Sequence, residues 1–134
     1  MKSLWEVTYV GSHTGGFIKK LERFLNTKTI EAHKERYEKD GKSYERTIFE
    51  IEHPVSEWNE LLIDVIRMAG LISKEWKIYI LDVNSHVGGA IDGDEREEKG
   101  GFLIEGPTGI KNISWEIKLD QSYISESLSG ESKF

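Results

Sequence analysis

The chain has 134 residues, of which 37% are hydrophobic and 10% aromatic, enough to build one packed core and too apolar for a disordered chain. It contains no cysteine, which excludes disulfides, thiol catalysis and cysteine-ligated zinc. No signal peptide or membrane-spanning run is visible, so we expect a cytoplasmic protein without membrane contact. The net charge of −6 disfavours nucleic-acid binding, because phosphates repel an acidic chain, and it suits a basic protein partner.

The first half of the chain predicts a strand, a helix and a hairpin. Residues 4–10 are rich in β-branched and aromatic side chains and predict a strand. A helix is expected to begin after Gly16 and to run to about Asn26, with one apolar stripe made of Phe17, Leu21, Phe24 and Leu25. Residues 29–53 predict a β-hairpin that turns at Asp40-Gly41, since glycine tolerates a positive φ. Its second arm places Thr47, Phe49 and Ile51 on one face.

The second half predicts a helix and further strands. Ser56 is expected to cap a helix that runs to about Leu71. The expected buried face of this helix consists of Trp58, Leu61, Leu62, Val65, Ile66 and Ala69. Residues 76–83 predict a strand, 84–101 a glycine-rich acidic loop, 102–105 a short strand and 106–109 a turn. Residues 111–119 alternate, with Ile113, Trp115, Ile117 and Leu119 on one face.

These elements predict an α+β fold with a mostly antiparallel sheet and two helices. Their β-α-β-β-α-β order, followed by one or two C-terminal strands, is similar to the ferredoxin-like order. We expect a single domain over residues 1–121 and a flexible, serine-rich tail over residues 122–134.

A segment of the form Val-x-Ser-His-x-Gly-Gly-x-Ile occurs twice. Residues 10–18 and 83–91 align without gaps and are identical at six of nine positions, and each copy follows a strand that opens with tryptophan. Adjacent glycines usually just interrupt a strand or helix, but they can also expose backbone amides to a ligand. In the first copy a helix begins after Gly16, and its N-terminus favours a bound anion. The candidate ligand residues are Ser12, His13, Thr14, Gly15, Gly16, Lys19, Lys20, Ser85, His86, Gly88 and Gly89.

A single site shared by both copies requires that the two loops meet at one end of the sheet. In the ferredoxin-like order the first and fourth strands run antiparallel, which places the loops at opposite ends. The second copy also leads into carboxylates, which repel an anion, so Ser12 to Gly16 is the better candidate for a phosphate, nucleotide or carboxylate site.

The densest acidic run follows the second copy. It carries Asp92, Asp94, Glu95, Glu97 and Glu98, and with Arg96 and Lys99 its net charge is −3, half of the total. A calcium loop requires glycine at position six and glutamate at twelve, and here those positions hold Glu97 and Leu103. The run therefore indicates either a solvated loop or a contact surface for a basic protein.

Other chemistries leave no convincing pattern. Neither His13 nor His86 has the hydroxyl two residues later that paired-histidine phosphoesterases carry. Zinc bound by His13, His33, His53 and His86 is only a weak alternative, because their spacing resembles no known site. No Walker motif and no Gly-x-Ser-x-Gly elbow occurs, no serine nucleophile stands out, and we expect no cofactor.

Three functions are left open. The first is a non-catalytic binding or inhibitory protein that, in composition, resembles the bacterial immunity proteins and neutralises a basic toxin, such as a nuclease, through its acidic run. The second is a small-molecule module or enzyme built on the two Ser-His-x-Gly-Gly segments. The third is a subunit of a larger assembly that pairs an exposed strand with a neighbour.

Overall fold

The computed structural model describes residues 1–11, 14–92 and 110–123. Two helices and an antiparallel sheet confirm the α+β class. The elements in chain order are β1 (Lys2–Val10), α1 (Thr14–Leu25), β2 (Thr29–Lys39), β3 (Lys42–Glu52), α2 (Trp58–Ile72), β4 (Lys77–Asp82), β5 (His86–Asp92) and β6 (Ile110–Lys118).

The sheet of the described residues has the strand order β2-β3-β1-β6-β5-β4, and each neighbouring pair is antiparallel. The first six elements follow the expected order along the chain, but β6 and β5 lie between β1 and β4. Strands β2 and β4 therefore form the two edges. Three antiparallel pairings separate β1 from β4, so these two strands run in opposite directions.

The hairpin of β2 and β3 turns where the sequence predicts it. Lys39 pairs with Lys42, and the two residues between them, Asp40 and Gly41, have φ values of 55° and 77°. A two-residue turn with both φ values positive follows the right-handed twist of the strands, which explains the Asp-Gly pair.

The main core lies between the two helices and one face of the sheet. Alternate residues of the central strands point into it, among them Trp5, Val7, Phe49, Ile113 and Trp115, as expected for strands with one covered face. The opposite face carries a small cluster of Leu4, Ile48 and Tyr123, and Thr8 and Glu50 on the same face are also buried.

Tyr123 packs the end of the described chain against that face. Its hydroxyl donates to the carbonyl of Lys2 at 2.8 Å and accepts from the amide of Lys118 at 2.6 Å. Burial raises the pKa of the Tyr123 hydroxyl, which therefore stays protonated as a donor. The packed chain thus extends to residue 123, while residues 124–134 of the predicted tail lie outside the described residues.

Two local predictions about the helices are wrong. Helix α2 begins at Trp58 with Glu57, not Ser56, at its N-cap, and no side chain caps it. Ile66 is 46% exposed, and Met68 and Ile72 are buried instead.

In α1, Phe24 is 44% exposed while Ile18 is buried, so the buried stripe is rotated from the expected one. Both helices cover only part of the sheet, which leaves one flank of each open to solvent. Leu119 also differs from expectation, because it lies beyond β6 and is 49% exposed.

The largest correction concerns β5, where the sequence predicts a glycine-rich loop from residue 84. His86–Asp92 instead forms a strand paired with both β4 and β6. Gly89 lies opposite Trp115, and a Cβ built on Gly89 would come within 2.7 Å of the indole nitrogen. The glycine therefore makes room for a tryptophan side chain and does not break the strand. The expected short strand over residues 102–105 lies outside the described residues.

Candidate functional site

The structure brings together a serine, a histidine and an aspartate that are far apart in the sequence. Ser3 lies on β1, His53 follows β3, and Asp64 lies on α2. The Oγ atom of Ser3 is 2.6 Å from His53 Nε2, and His53 Nδ1 is 2.7 Å from Asp64 Oδ2. The pairing of Ser3 with Ile51 places the end of β3, and with it His53, beside Ser3.

Two further side chains complete this network. The Trp5 indole donates to Ser3 Oγ at 2.8 Å, and Arg67 Nη2 donates to Asp64 Oδ1 at 2.6 Å. When Asp64 is ionised it accepts from His53 Nδ1–H, so the neutral ring offers Nε2 as an acceptor to the Ser3 hydroxyl. Each polar atom in the chain of contacts then has a partner.

Burial sets the protonation of the network. Removal from water lowers the pKa of His53, although the Asp64 carboxylate opposes that shift. Burial alone would raise the pKa of Asp64, but hydrogen bonds from Arg67 and His53 outweigh it and the pKa is lowered. A neutral histidine beside an ionised carboxylate is therefore the state that folding favours near neutral pH.

The connectivity is that of a serine, histidine and aspartate triad, in which the histidine takes a proton from the serine hydroxyl. A nucleophile also has to reach a substrate, and Ser3 is 0% and His53 1% exposed. Ser3 and His53 are therefore sealed inside the core, while Asp64 is partly exposed at its edge, and the three residues join β1, the end of β3 and α2.

Sequence reasoning missed this network. Ser3, His53 and Asp64 have no diagnostic spacing, and His53 was considered only as a weak zinc ligand. The pairing of β1 with β3 and the packing of α2 bring them together, and neither is visible in the local sequence. The described residues contain no group of three or more histidine and carboxylate side chains that could hold a metal ion.

The first repeated segment is only partly described. Ser12 and His13 lie outside the described residues, and α1 begins at Thr14, within the segment, earlier than expected. Lys19 and Lys20 are exposed. A surface cavity of about 740 Å³ includes Lys19 but lies along the second half of α1; its lining residues are Lys19, Glu22, Arg23, Asn26, Thr27 and Lys28.

The second copy adopts a different structure. Ser85 belongs to the turn between β4 and β5, and His86 opens β5, where its Nε2 is 3.0 Å from Glu116 Oε2. Gly88 and Gly89 are inside a strand with neighbours on both sides, so the prediction of an amide-presenting loop is wrong for this copy. Ser85 and His86 line a surface cavity of about 450 Å³ together with Lys118, Leu119 and Asp120.

The strands that precede the two copies do not bring them to one end of the sheet. The first follows the C-terminal end of β1 and the second the C-terminal end of β4, and these strands run in opposite directions. The segments therefore start from opposite ends of the sheet, and the condition for a composite site is not met.

The acidic run begins at the end of β5. Asp92 is the last residue of that strand and pairs with Asn112 of β6, while Asp94, Glu95, Glu97 and Glu98 lie outside the described residues. Because β5 and β6 are paired in register up to this point, β5 ends and β6 begins at the same end of two adjacent strands.

One edge of the sheet exposes a run of large apolar residues. In β4, Ile78, Tyr79, Ile80 and Leu81 are 45%, 53%, 63% and 69% exposed, and Val83 just beyond is 53% exposed. Sequence reasoning identified the strand but not its edge position, which depends on the late strands β5 and β6 that insert between β1 and β4.

No protein-family model matches this chain, and comparisons with curated proteins and with solved structures gave no significant match. Neither described helix has the length and apolar composition to cross a bilayer.

Proposed function

We propose that this protein is a non-catalytic binding protein that holds a basic protein partner through its acidic run. An immunity-type protein that neutralises a basic toxin, such as a nuclease, in the cytoplasm would have these properties. The contact residues are the carboxylates of Asp92, Asp94, Glu95, Glu97 and Glu98. The observation that carries the proposal is the position of Asp92, the first residue of the run, at the end of β5, where this strand pairs with β6.

Charge supports the same proposal. The run holds a net charge of −3 within eight residues, in a chain whose total is −6. Such a concentration of one sign attracts a cationic surface over a distance of roughly a Debye length, about 8–10 Å near physiological salt. Complementary charge mainly accelerates association and selects the partner.

A separate observation supports the non-catalytic part of this proposal. The most catalytic-looking arrangement in the described residues, Ser3 with His53 and Asp64, is sealed from substrate. Its polar atoms are also satisfied by one another, by Trp5 and by Arg67, which is how buried polar groups stabilise a core.

The test begins with affinity capture from the native host, followed by purification of the captured basic protein. Titration calorimetry then compares the wild type with a variant in which the five acids of the run become Asn or Gln. We expect the dissociation constant to rise by about tenfold or more, and added salt to weaken wild-type binding.

A matched control distinguishes the effect of the acidic run on binding from the effect of the chain's net charge. Glu31, Glu38, Glu52, Glu57 and Glu60 are exposed acids elsewhere, and changing all five to Gln alters the charge equally. This control should bind nearly as tightly as the wild type. Equal weakening by both variants would mean that the run is not the contact surface.

A second candidate function rests on the cavity beside Ser85 and His86. Lys118 adds a cationic group there, so a phosphate-bearing small molecule is a suitable ligand, while Asp120 opposes it. Inorganic phosphate and a nucleotide panel should then raise the melting temperature of the wild type but not of His86→Ala. His13→Ala serves as the comparison, because the first copy starts from the opposite end of the sheet. No shift with any compound would remove this candidate.

A further inference from the structure

The edge strand β4 has few of the features that keep sheet edges apart: its two charges, Lys77 and Asp82, lie at its ends, and its register with β5 shifts only between Ile80 and Asp82. Its only strand neighbour in the described chain is β5, and Ile78 to Leu81 form four consecutive large apolar residues without a charge or proline. Exposed strand edges offer backbone hydrogen-bonding groups to another strand, and natural proteins usually block them with charges, prolines or bulges.

The opposite edge, β2, has that protection. Charged residues occur along most of its length, and Lys34, Glu35 and Arg36 form ion pairs with Glu31, Arg46 and Glu45 respectively. The contrast between the two edges of one sheet indicates that the apolar character of β4 is specific to that edge.

Helix α2 adds apolar surface on the β4 side. The Trp58 indole donates to the Val83 carbonyl at 2.8 Å, and the Trp76 indole donates to the Ala69 carbonyl at 2.7 Å, so the helix lies alongside β4. Ile66 lies about 80° around the helix from Trp58. The opposite flank carries Asp64, which contacts His53 after β3, and the Ile66 flank therefore faces β4.

We propose that β4 pairs with β4 of a second copy of this chain, antiparallel and around a twofold axis at Tyr79. Residues directly opposite one another in an antiparallel pair share a face of the sheet. Ile78 and Ile80 pair with Gly89 and Val87, which are on the helix-covered face, while Tyr79 faces the opposite side.

This register matches apolar side chains on both faces. Ile78 of one copy lies opposite Ile80 of the other, and the two Tyr79 side chains meet at the axis. The result is a continuous sheet in which two six-stranded sheets join at their apolar edges. Such twofold contacts use the same patch on both copies and close without forming fibres.

Charge complementarity supports a second copy as the occupant. Lys77 begins the strand and Asp82 ends it, so antiparallel pairing brings the basic end of each strand to the acidic end of the other. The dimer nevertheless joins two chains of net charge −6, and screening of that repulsion should make it tighter at higher salt. Salt has the opposite effect on the proposed basic partner, so the two contacts are distinguishable.

Sedimentation equilibrium of the full chain at 50 and 500 mM NaCl tests the proposal. We expect a concentration-dependent dimer that is tighter at 500 mM, and an increase of about tenfold or more in its dissociation constant for Ile80→Lys. Ile30→Lys is the matched control, since Ile30 is 50% exposed on the other edge strand, and it should leave the dimer unchanged.

The register has a separate test, because the chain contains no cysteine. Tyr79→Cys places two thiols opposite each other at the axis, where the Cα separation of about 4.5–5.5 Å suits a disulfide. Mild oxidation should cross-link this variant, and Lys34→Cys on β2 should stay uncross-linked.

Several outcomes overturn the proposal. A chain that stays monomeric at every concentration and at both salt levels overturns it. If the β4 amides of that monomer also exchange slowly, another part of the same chain covers the strand. A dimer broken by Ile30→Lys but not by Ile80→Lys places the interface elsewhere. Neutralising the acidic run should leave the dimer intact, so the proposed dimer interface and the proposed function can each be disproved without the other.

Discussion

His53 and Asp64 are joined by a 2.7 Å hydrogen bond that connects the residue after β3 to the middle of α2. His53 is buried on all sides, and its other ring nitrogen contacts Ser3 of β1. Three elements that are distant in the sequence therefore share one polar contact chain, which runs from the buried Ser3 and His53 to the partly exposed Asp64, and its contribution to stability is measurable.

We expect Asp64→Ala to lower the free energy of unfolding by about 1–3 kcal/mol, because His53 Nδ1–H would lose its partner inside the core. Arg67→Ala is the control: its side chain is 63% exposed, and its loss should cost less than about 1 kcal/mol. Urea denaturation of both variants measures the difference. Similar losses would show that the aspartate acts mainly through its exposed ion pair.

Stability should fall as pH decreases below about 6.5. The pKa of His53 is lowered by folding from an ordinary value of 6.5, so below that value the unfolded chain binds more protons than the folded one. Acid therefore favours unfolding from about pH 6.5 down to the lowered pKa. The lowered pKa of Asp64 acts in the same direction below about pH 4.

Urea denaturation between pH 8 and 5 measures the histidine contribution. In His53→Gln the slope of stability against pH in this window should decrease. An unchanged slope would assign the pH dependence to other groups.

Alanine substitution should change the stability of the protein in opposite directions at Gly89 and at Gly70. Gly89→Ala places a methyl group 2.7–2.9 Å from three atoms of the Trp115 indole, and overpacking of this kind costs about 1–3 kcal/mol. Gly70 lies in α2 with open space around it, so Gly70→Ala should stabilise by about 0.5–1 kcal/mol. Thermal unfolding of both variants tests the pair, and a stable Gly89→Ala would contradict the close approach.

The buried Ser3 hydroxyl should be unreactive in the folded protein. A fluorophosphonate probe, which labels activated serines, should leave Ser3 unmodified in the native protein, because Ser3 is 0% exposed. Hydrolysis of p-nitrophenyl acetate should be the same for the wild type and Ser3→Ala. Stoichiometric labelling of Ser3 under native conditions would show that the site opens to solvent.

The sequence predicts those parts of the fold that depend on neighbouring residues. Asp40-Gly41 identifies the hairpin because the turn itself demands positive φ values. The alternation of Ile113, Trp115 and Ile117 likewise identifies β6 and its buried face.

The features that escape prediction depend on distant partners. Gly88 and Gly89 suggest a loop until Trp115 is placed across from Gly89, and Ser3 has no visible role until β3 and α2 bring His53 and Asp64 to it. The edge position of β4 is set by two strands that come later in the chain. The acidic residues from Asp94 onward are outside the described residues, so their role as a contact surface stays a prediction.

The small residues of β5 also determine how β4 is attached to the rest of the molecule. Gly88, Gly89 and Ala90 give β4 little side-chain surface to pack against, so main-chain hydrogen bonds and the two tryptophan indoles near its ends hold it in place. This hairpin should therefore be the first part of the sheet to open, well below the free energy of global unfolding. In native-state hydrogen exchange of the dilute, monomeric chain, the amides shared by β4 and β5 would lose protection before those between β1 and β3.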